Sequence, residues 1–126
     1  MELLYSEAAL TLHINNQCYD VMPGDIFFIN PRQIHHACRK GPGEIYAVVF
    51  DLNLLKLPTE NDPTNTLIED IIHQKKQFCI KPEQNTEFYS ELLPGIRKLK
   101  NSFASHGTIS GPALFARKAA TSTTPC

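Results

Sequence analysis

Several things are missing from this 126-residue chain, and each absence closes a class of function. No apolar run approaches the ~20 residues that a membrane-spanning helix needs. Twelve basic residues against thirteen acidic ones leave a formal charge of -1. No bulk field therefore draws the chain to nucleic acid or to an anionic membrane surface. Cysteine occurs at Cys18, Cys38, Cys79 and Cys126, with no C-x-x-C pair, so zinc ribbons and thioredoxin-like sites are not indicated. No Ser/His/Asp or Cys/His set has recognisable spacing, and nothing assembles a nucleophile with its base. "MELLYSEAAL" at the start lacks the basic region of an export signal. The expectation is a cytoplasmic protein with reduced thiols, not an enzyme, without a cofactor and without a membrane partner.

Apolar residues make up 42% of the chain and charged residues 20%, ordinary proportions for a globular protein. One domain is expected, burying roughly 65% of the surface its unfolded form exposes. The first half has a period of two. Leu10, Leu12 and Ile14 alternate with Thr11, His13 and Asn15, the pattern of a half-buried strand. Asn15-Asn16 tolerates positive φ and suits a hairpin turn into "QCYDV". Pro23-Gly24 fits the centre of a type II turn. "DIFFI" and "EIYAVVF" are apolar on both faces, which calls for a second sheet on one side and a further layer on the other. Between them Pro31 breaks the ladder, "IHHACRK" resumes it, and Gly41-Pro42-Gly43 turns it again. Strands at roughly ten-residue spacing with Gly and Pro turns point to an antiparallel sandwich or barrel.

Beyond residue 56 the period changes. Thr66 followed by Glu69 has the form of a capping box, with Leu67, Ile68, Ile71 and Ile72 on one helical face. A longer helix is predicted from Thr86 to about Phe103, with Phe88, Leu92, Ile96, Leu99 and Phe103 in one stripe. Pro94-Gly95 interrupts it; an interior proline costs ~3 kcal/mol, so a kink is expected. "PALFARKAA" suits a last helix, and "TSTTPC" is a polar tail with nothing to order it. Three divisions result: a β region at 1–56, a helical region at 57–115 and a disordered tail at 116–126. The cluster Arg97, Lys98 and Lys100 reads as a solvated helix face.

Three stretches together carry a resemblance: "ELLY" (Glu2–Tyr5), "LTLHINNQCYDVMPGDIFFINPRQIHHA" (Leu10–Ala37) and "YAVVFDLNLL" (Tyr46–Leu55). They are similar to the cupin-like N-terminal ligand-sensing and dimerisation domain of AraC-type transcription regulators, over roughly residues 2–115. The resemblance implies a mainly β fold with C-terminal helices. In detail, a cupin-like antiparallel sandwich or barrel, incomplete at the N-terminus, precedes two or three α-helices. It further implies a small-molecule effector held between the sheets and helices that pair two subunits into a homodimer. DNA is contacted in that family only through a separate C-terminal helix-turn-helix module. A chain of 126 residues has no room for that module, so the expectation is a fragment or the product of a truncated gene. One departure stands out. Family members usually place a glycine at the hairpin after "ELLY", whereas this sequence has Ala8 or Ala9 there, and alanine resists positive φ.

Metal-binding cupins carry an H-x-H pair and a glutamate in one motif and a single histidine after a Gly-Pro turn in another. By resemblance, His35 stands at the second motif's ligand and Glu2 at the first motif's carboxylate, with no H-x-H pair upstream. Two ligands of four do not make a tight transition-metal site. No metal is expected, Glu2 and His35 being the weak candidates. Adjacent strand residues face opposite ways, so His35 and His36 do not enter one pocket. With His35 inward, as the cupin comparison implies, Ala37 and Arg39 share its side, and Ile45 and Ala47 lie on the matching face of the last strand. The candidate ligand-binding residues are thus Glu2, His35, Ala37, Arg39, Ile45 and Ala47. His35 either offers its imidazole to a polar effector or is satisfied by a neighbouring strand carbonyl. The face of Ile45, Ala47 and Val49 is too apolar to carry over arabinose specificity. His13 is expected on the surface, and His73 and His106 have no partner pattern.

The resulting expectation is an effector-sensing and dimerisation domain. Its ligand is a small molecule, a sugar being one candidate, and its dimer contacts come from an outward stripe at Leu92, Ile96 and Leu99. A metal-dependent cupin enzyme, such as a sugar isomerase or dioxygenase, is the competing class. A stand-alone storage or binding cupin is the third.

Overall fold

The computed structural model describes residues 1–105 and 114–118. The alternating segments form strands β1 (Glu2–Ser6), β2 (Leu10–Ile14), β3 (Gln17–Val21), β4 (Ile26–Ile29), β5 (His35–Arg39) and β6 (Ile45–Phe50). A 3-10 helix (Leu52–Leu55), α1 (Pro63–Ile72), α2 (Glu87–Ser105) and β7 (Leu114–Lys118) follow. Pairing is antiparallel throughout, in two sheets ordered β4-β1-β6-β7 and β3-β2-β5. Among the described residues the chain is mainly β with two α-helices, and no helix is long and apolar enough to cross a membrane.

Local chemistry sets the turns. Asn15 takes φ 52 between β2 and β3. Gly24 takes φ 94 after Pro23, and the Asp25 N–H donates to the Met22 carbonyl at 3.0 Å. The β1–β2 link does without glycine. Ser6 Oγ donates to the Ala8 carbonyl at 2.6 Å and accepts from the Ala8 N–H at 3.1 Å. A side-chain hydroxyl therefore does there what a left-handed glycine does elsewhere. Its neighbour across the gap is Gly43, at φ 133, where a Cβ would lie 2.6 Å from the Glu7 carbonyl oxygen.

Register decides what each strand face meets. Glu2 lies opposite Ile29 and Val49, and Leu4 opposite Phe27 and Ala47. Leu4, Phe27, Ile29 and Ile45 pack against Leu10, Leu12, Ile14 and Val21 of the other sheet in one core cluster. Phe27 is fully buried and meets Tyr19 edge-on at 5.6 Å. Ile26 and Phe28, on the reverse of β4, lie under α2 with Tyr89 and Ile96. "IFFI" thus has no polar face because one face looks between the sheets and the other under a helix. Each such large apolar side chain contributes roughly 1.5–3 kcal/mol by burial.

Lys100 fastens the later part of α2 to the same sheet. Its Nζ lies 2.6 Å from Glu7 Oε2 and 5.8 Å from the ring centres of both Tyr5 and Tyr46. The hydrogen bond to Glu7 raises the Lys100 pKa, against the opposing pull of burial. Burial, reinforced by the Glu7 charge, raises that of Tyr46.

Several expectations need correcting. α1 starts earlier than the Thr66 box: Asp62 caps it, accepting from the Thr64 N–H at 2.8 Å, and Pro63 occupies the first turn, where its missing N–H is harmless. α2, by contrast, is one helical segment through Pro94, in keeping with a single helix whose stripe stays in phase. The stripe Leu92, Ile96 and Leu99, expected to face outward as a dimer contact, packs on the chain's own sheet. The apolar reverse face of β1 and β4 requires that cover. Leu114–Lys118 is a strand, not a helix, and extends beyond residue 116, where the tail was expected to begin. It pairs with β6 from Phe50–Leu114 to Tyr46–Lys118, so a free sheet edge outweighs a modest helical preference. Cys18 and Cys79 are free and exposed. His106 and the tail beyond Lys118 lie outside the described residues.

Candidate functional site

Glu2 opens β1 and His35 opens β5, on different sheets. Register turns Glu2 toward the facing sheet, between Ile29 and Val49. His35 pairs with the core residue Ile14 and shares its face. The residue before His35 is held at two points: the Asn15 N–H donates to the Ile34 carbonyl at 2.7 Å, and the Ile34 N–H donates to Asn15 Oδ1 at 3.0 Å. The left-handed Asn15 of the hairpin turn thereby fixes where β5 begins.

The two side chains meet across the open end between the sheets. His35 Nε2 lies 3.3 Å from Glu2 Oε2, with the carboxylate side chain 10% exposed and the imidazole side chain 28% exposed. The carboxylate is set back and the imidazole stands at the mouth. An Nε2–H donated to Glu2 leaves Nδ1 as an acceptor for a hydroxyl or amine group. His36, one residue on, takes the opposite face. Its ring stacks on His13 at 4.4 Å and 8°, on the outer side of the β3-β2-β5 sheet.

Of the six expected ligand residues, the structure brings together Glu2 and His35 and disperses the other four. Ala37 lies deeper, opposite Leu12, packed against the core. Ile45 is 1% exposed and Ala47 0%, so both are core residues and not an accessible wall. Arg39 sits about 13 Å along β5 from His35, at roughly 3.3 Å per residue. Its Nη1 donates to the carbonyls of Gly41 at 3.2 Å and Gly43 at 2.5 Å, which ties the β5–β6 turn. The space between the sheets is occupied by large side chains over most of its length, and the polar pair is confined to one end. Among the described residues, no group of three or more His, Cys, Asp or Glu is placed to hold a metal ion.

Residue patterns missed one further concavity. A polar pocket of about 90 Å³ lies at the end of the sheets between the β4–β5 loop and the segment after α1. Its walls come from stretches some forty residues apart, such as Arg32 and Gln74, and no spacing rule joins them. The only local sign was the isolated polar run "NPRQ". No family model, curated protein or solved structure matches this chain.

Proposed function

We propose that this chain senses a small, neutral, hydroxyl-bearing effector, in the manner of the AraC-type sensing domains its sequence resembles. The carrying observation is the meeting of Glu2 and His35 at the open end between the sheets. A screened carboxylate with a partly exposed imidazole supplies hydrogen-bond acceptors, which suit the hydroxyls of a sugar or another polyol better than an anion. In this reading the two sheets form a cupin-like sandwich, two copies of the chain associate, and DNA is reached through a separate module.

Coupling follows from the placement of β1. One face of this strand carries Glu2; the other carries Leu3 and Tyr5, which pack under α2. An effector that engages Glu2 and His35 ties the two sheets together and bears on the strand that seats α2. Control of this sort needs the effector to prefer one arrangement of α2 over another.

The test is a thermal-shift titration of the full chain with neutral pentoses, hexoses and polyols. A ligand at a hundred times its Kd stabilises by about 2.7 kcal/mol. Stabilisation by at least one compound, abolished in Glu2→Gln and in His35→Gln, supports the reading. No response to any compound, or a response indifferent to both substitutions, ends it.

A further inference from the structure

The polar pocket at the end of the sheets has a chemistry opposite to that of the Glu2–His35 pair. Two cations line it, Arg32 and Lys76, and no carboxylate does, although the chain holds thirteen acidic residues. The Arg32 guanidinium makes no ion pair or hydrogen bond among the described residues. Lys76 is only loosely engaged, its Nζ lying 3.6 Å from Asp70 Oδ2. The carboxamides of Gln33, Gln74 and Gln77 add neutral donors to the walls. A volume of about 90 Å³ accommodates a few waters or one small polyatomic anion.

The frame is built, not incidental. Asn30 clasps the segment after α1 at two points: Oδ1 accepts from the Phe78 N–H at 2.7 Å and Nδ2 donates to the Phe78 carbonyl at 3.2 Å. Gln33 Oε1 accepts from the Asn30 N–H at 2.8 Å. Four non-glycine residues have positive φ among those described: Asn15, Arg32, Asn61 and Gln74. Three of them, Asn15 at 52, Arg32 at 66 and Gln74 at 61, line this one pocket. Asparagine adopts that region readily, but arginine and glutamine do so against a steric penalty. Asn15 belongs to the hairpin turn and Gln74 directly follows the C-cap of α1, where left-handed residues are common, so Arg32 is the one of the three whose backbone neither a hairpin nor a helix end explains.

We propose that this pocket is a binding site for a small oxyanion, a phosphate or carboxylate group, held by Arg32 and Lys76 with the surrounding glutamine amides. Arginine presents a planar fork of donors that matches such an anion in two-point fashion. The pocket is independent of the effector reading, because its lining includes neither Glu2 nor His35.

The experiment titrates the full chain with inorganic phosphate, and separately with acetate, at constant ionic strength set by chloride. Binding is followed by calorimetry and by the thermal midpoint. Saturable binding of either probe is expected. Arg32→Gln and Lys76→Gln should each weaken it at least tenfold, while Lys40→Gln, at a cation paired with Asp20 on the outer sheet face, should leave it unchanged. Arg32→Gly supplies the second discriminator: glycine accepts the left-handed backbone, so this variant should melt higher than the parent yet bind at least tenfold more weakly. Preference for phosphate or for acetate identifies the source of the charge. No saturable binding of either probe, or binding that survives both charge substitutions, overturns the proposal.

Discussion

His35 Nε2 stands 3.3 Å from Glu2 Oε2 although the two residues belong to different sheets. The contact is a polar bridge across one end of an otherwise apolar interior. Its energetic weight is that of one partly exposed hydrogen bond, about 0.5–1.5 kcal/mol. Glu2→Gln retains a hydrogen-bonding group and should change stability by less than about 1 kcal/mol in chemical denaturation. A collapse of the fold on this substitution would mean that the pair is structural.

Tyr89 ties α2 to the turn after β3: its hydroxyl donates to the Gly24 carbonyl. Burial raises the Tyr89 pKa, with Tyr5 and Asp25 adding to the shift. A phenol is neutral when protonated, and the fold holds that proton more tightly than the unfolded chain does. The contribution is therefore full below the unfolded value near pH 10 and is lost as pH rises through the folded value. Tyr89→Phe should lower stability at neutral pH by about 1 kcal/mol and flatten the alkaline limb of the stability profile. Denaturation midpoints from pH 7 to 11 measure both.

Gly41 and Gly43 flank one turn and should respond differently to alanine. At Gly43, φ is 133 and a Cβ would lie 2.6 Å from the Glu7 carbonyl oxygen. A left-handed penalty and a clash with backbone together should cost about 2–3 kcal/mol. At Gly41 the nearest atom to a Cβ is Ala9 Cβ, at 3.9 Å, and the same change should stay within ~0.5 kcal/mol. Parallel urea unfolding of the two variants separates them.

Strands were legible because their cause is local. Leu10 to Asn15 alternates, and Pro23-Gly24 can hardly be anything but a turn. Even the double-faced "IFFI" announced two covers, and both are present. What escaped was settled by distant partners. Leu114–Lys118 has no strong preference and becomes a strand because β6 offers an edge. The direction of the α2 stripe depends on the apolar reverse of β1 and β4. Glu2 and His35 were singled out by the resemblance and not by a readable register, and the structure sets them 3.3 Å apart. The reach of Arg39 to the Gly41 and Gly43 carbonyls is a matter of turn geometry that strand alternation does not show.

Leu99 packs against the sheet beside Ile96 and Tyr89. Leu99→Glu should accordingly destabilise the monomer by about 2 kcal/mol, through lost burial and a carboxylate brought near apolar surface. Unfolding curves at two protein concentrations read this directly: an equal loss at both fits packing within one chain. A loss that grows with dilution would restore this stripe as a contact between copies.

The most direct measurement is the imidazole resonance of His35 in the full chain during titration with the neutral sugar or polyol that stabilises it. Binding at the mouth between the sheets should move the His35 ring signals saturably while those of His13 and His36, on the outer face, stay in place. The same titration of Glu2→Gln should show the movement weakened or gone. Signals from His35 that remain fixed while the compound binds would contradict the assignment of this end of the molecule as the sensing site.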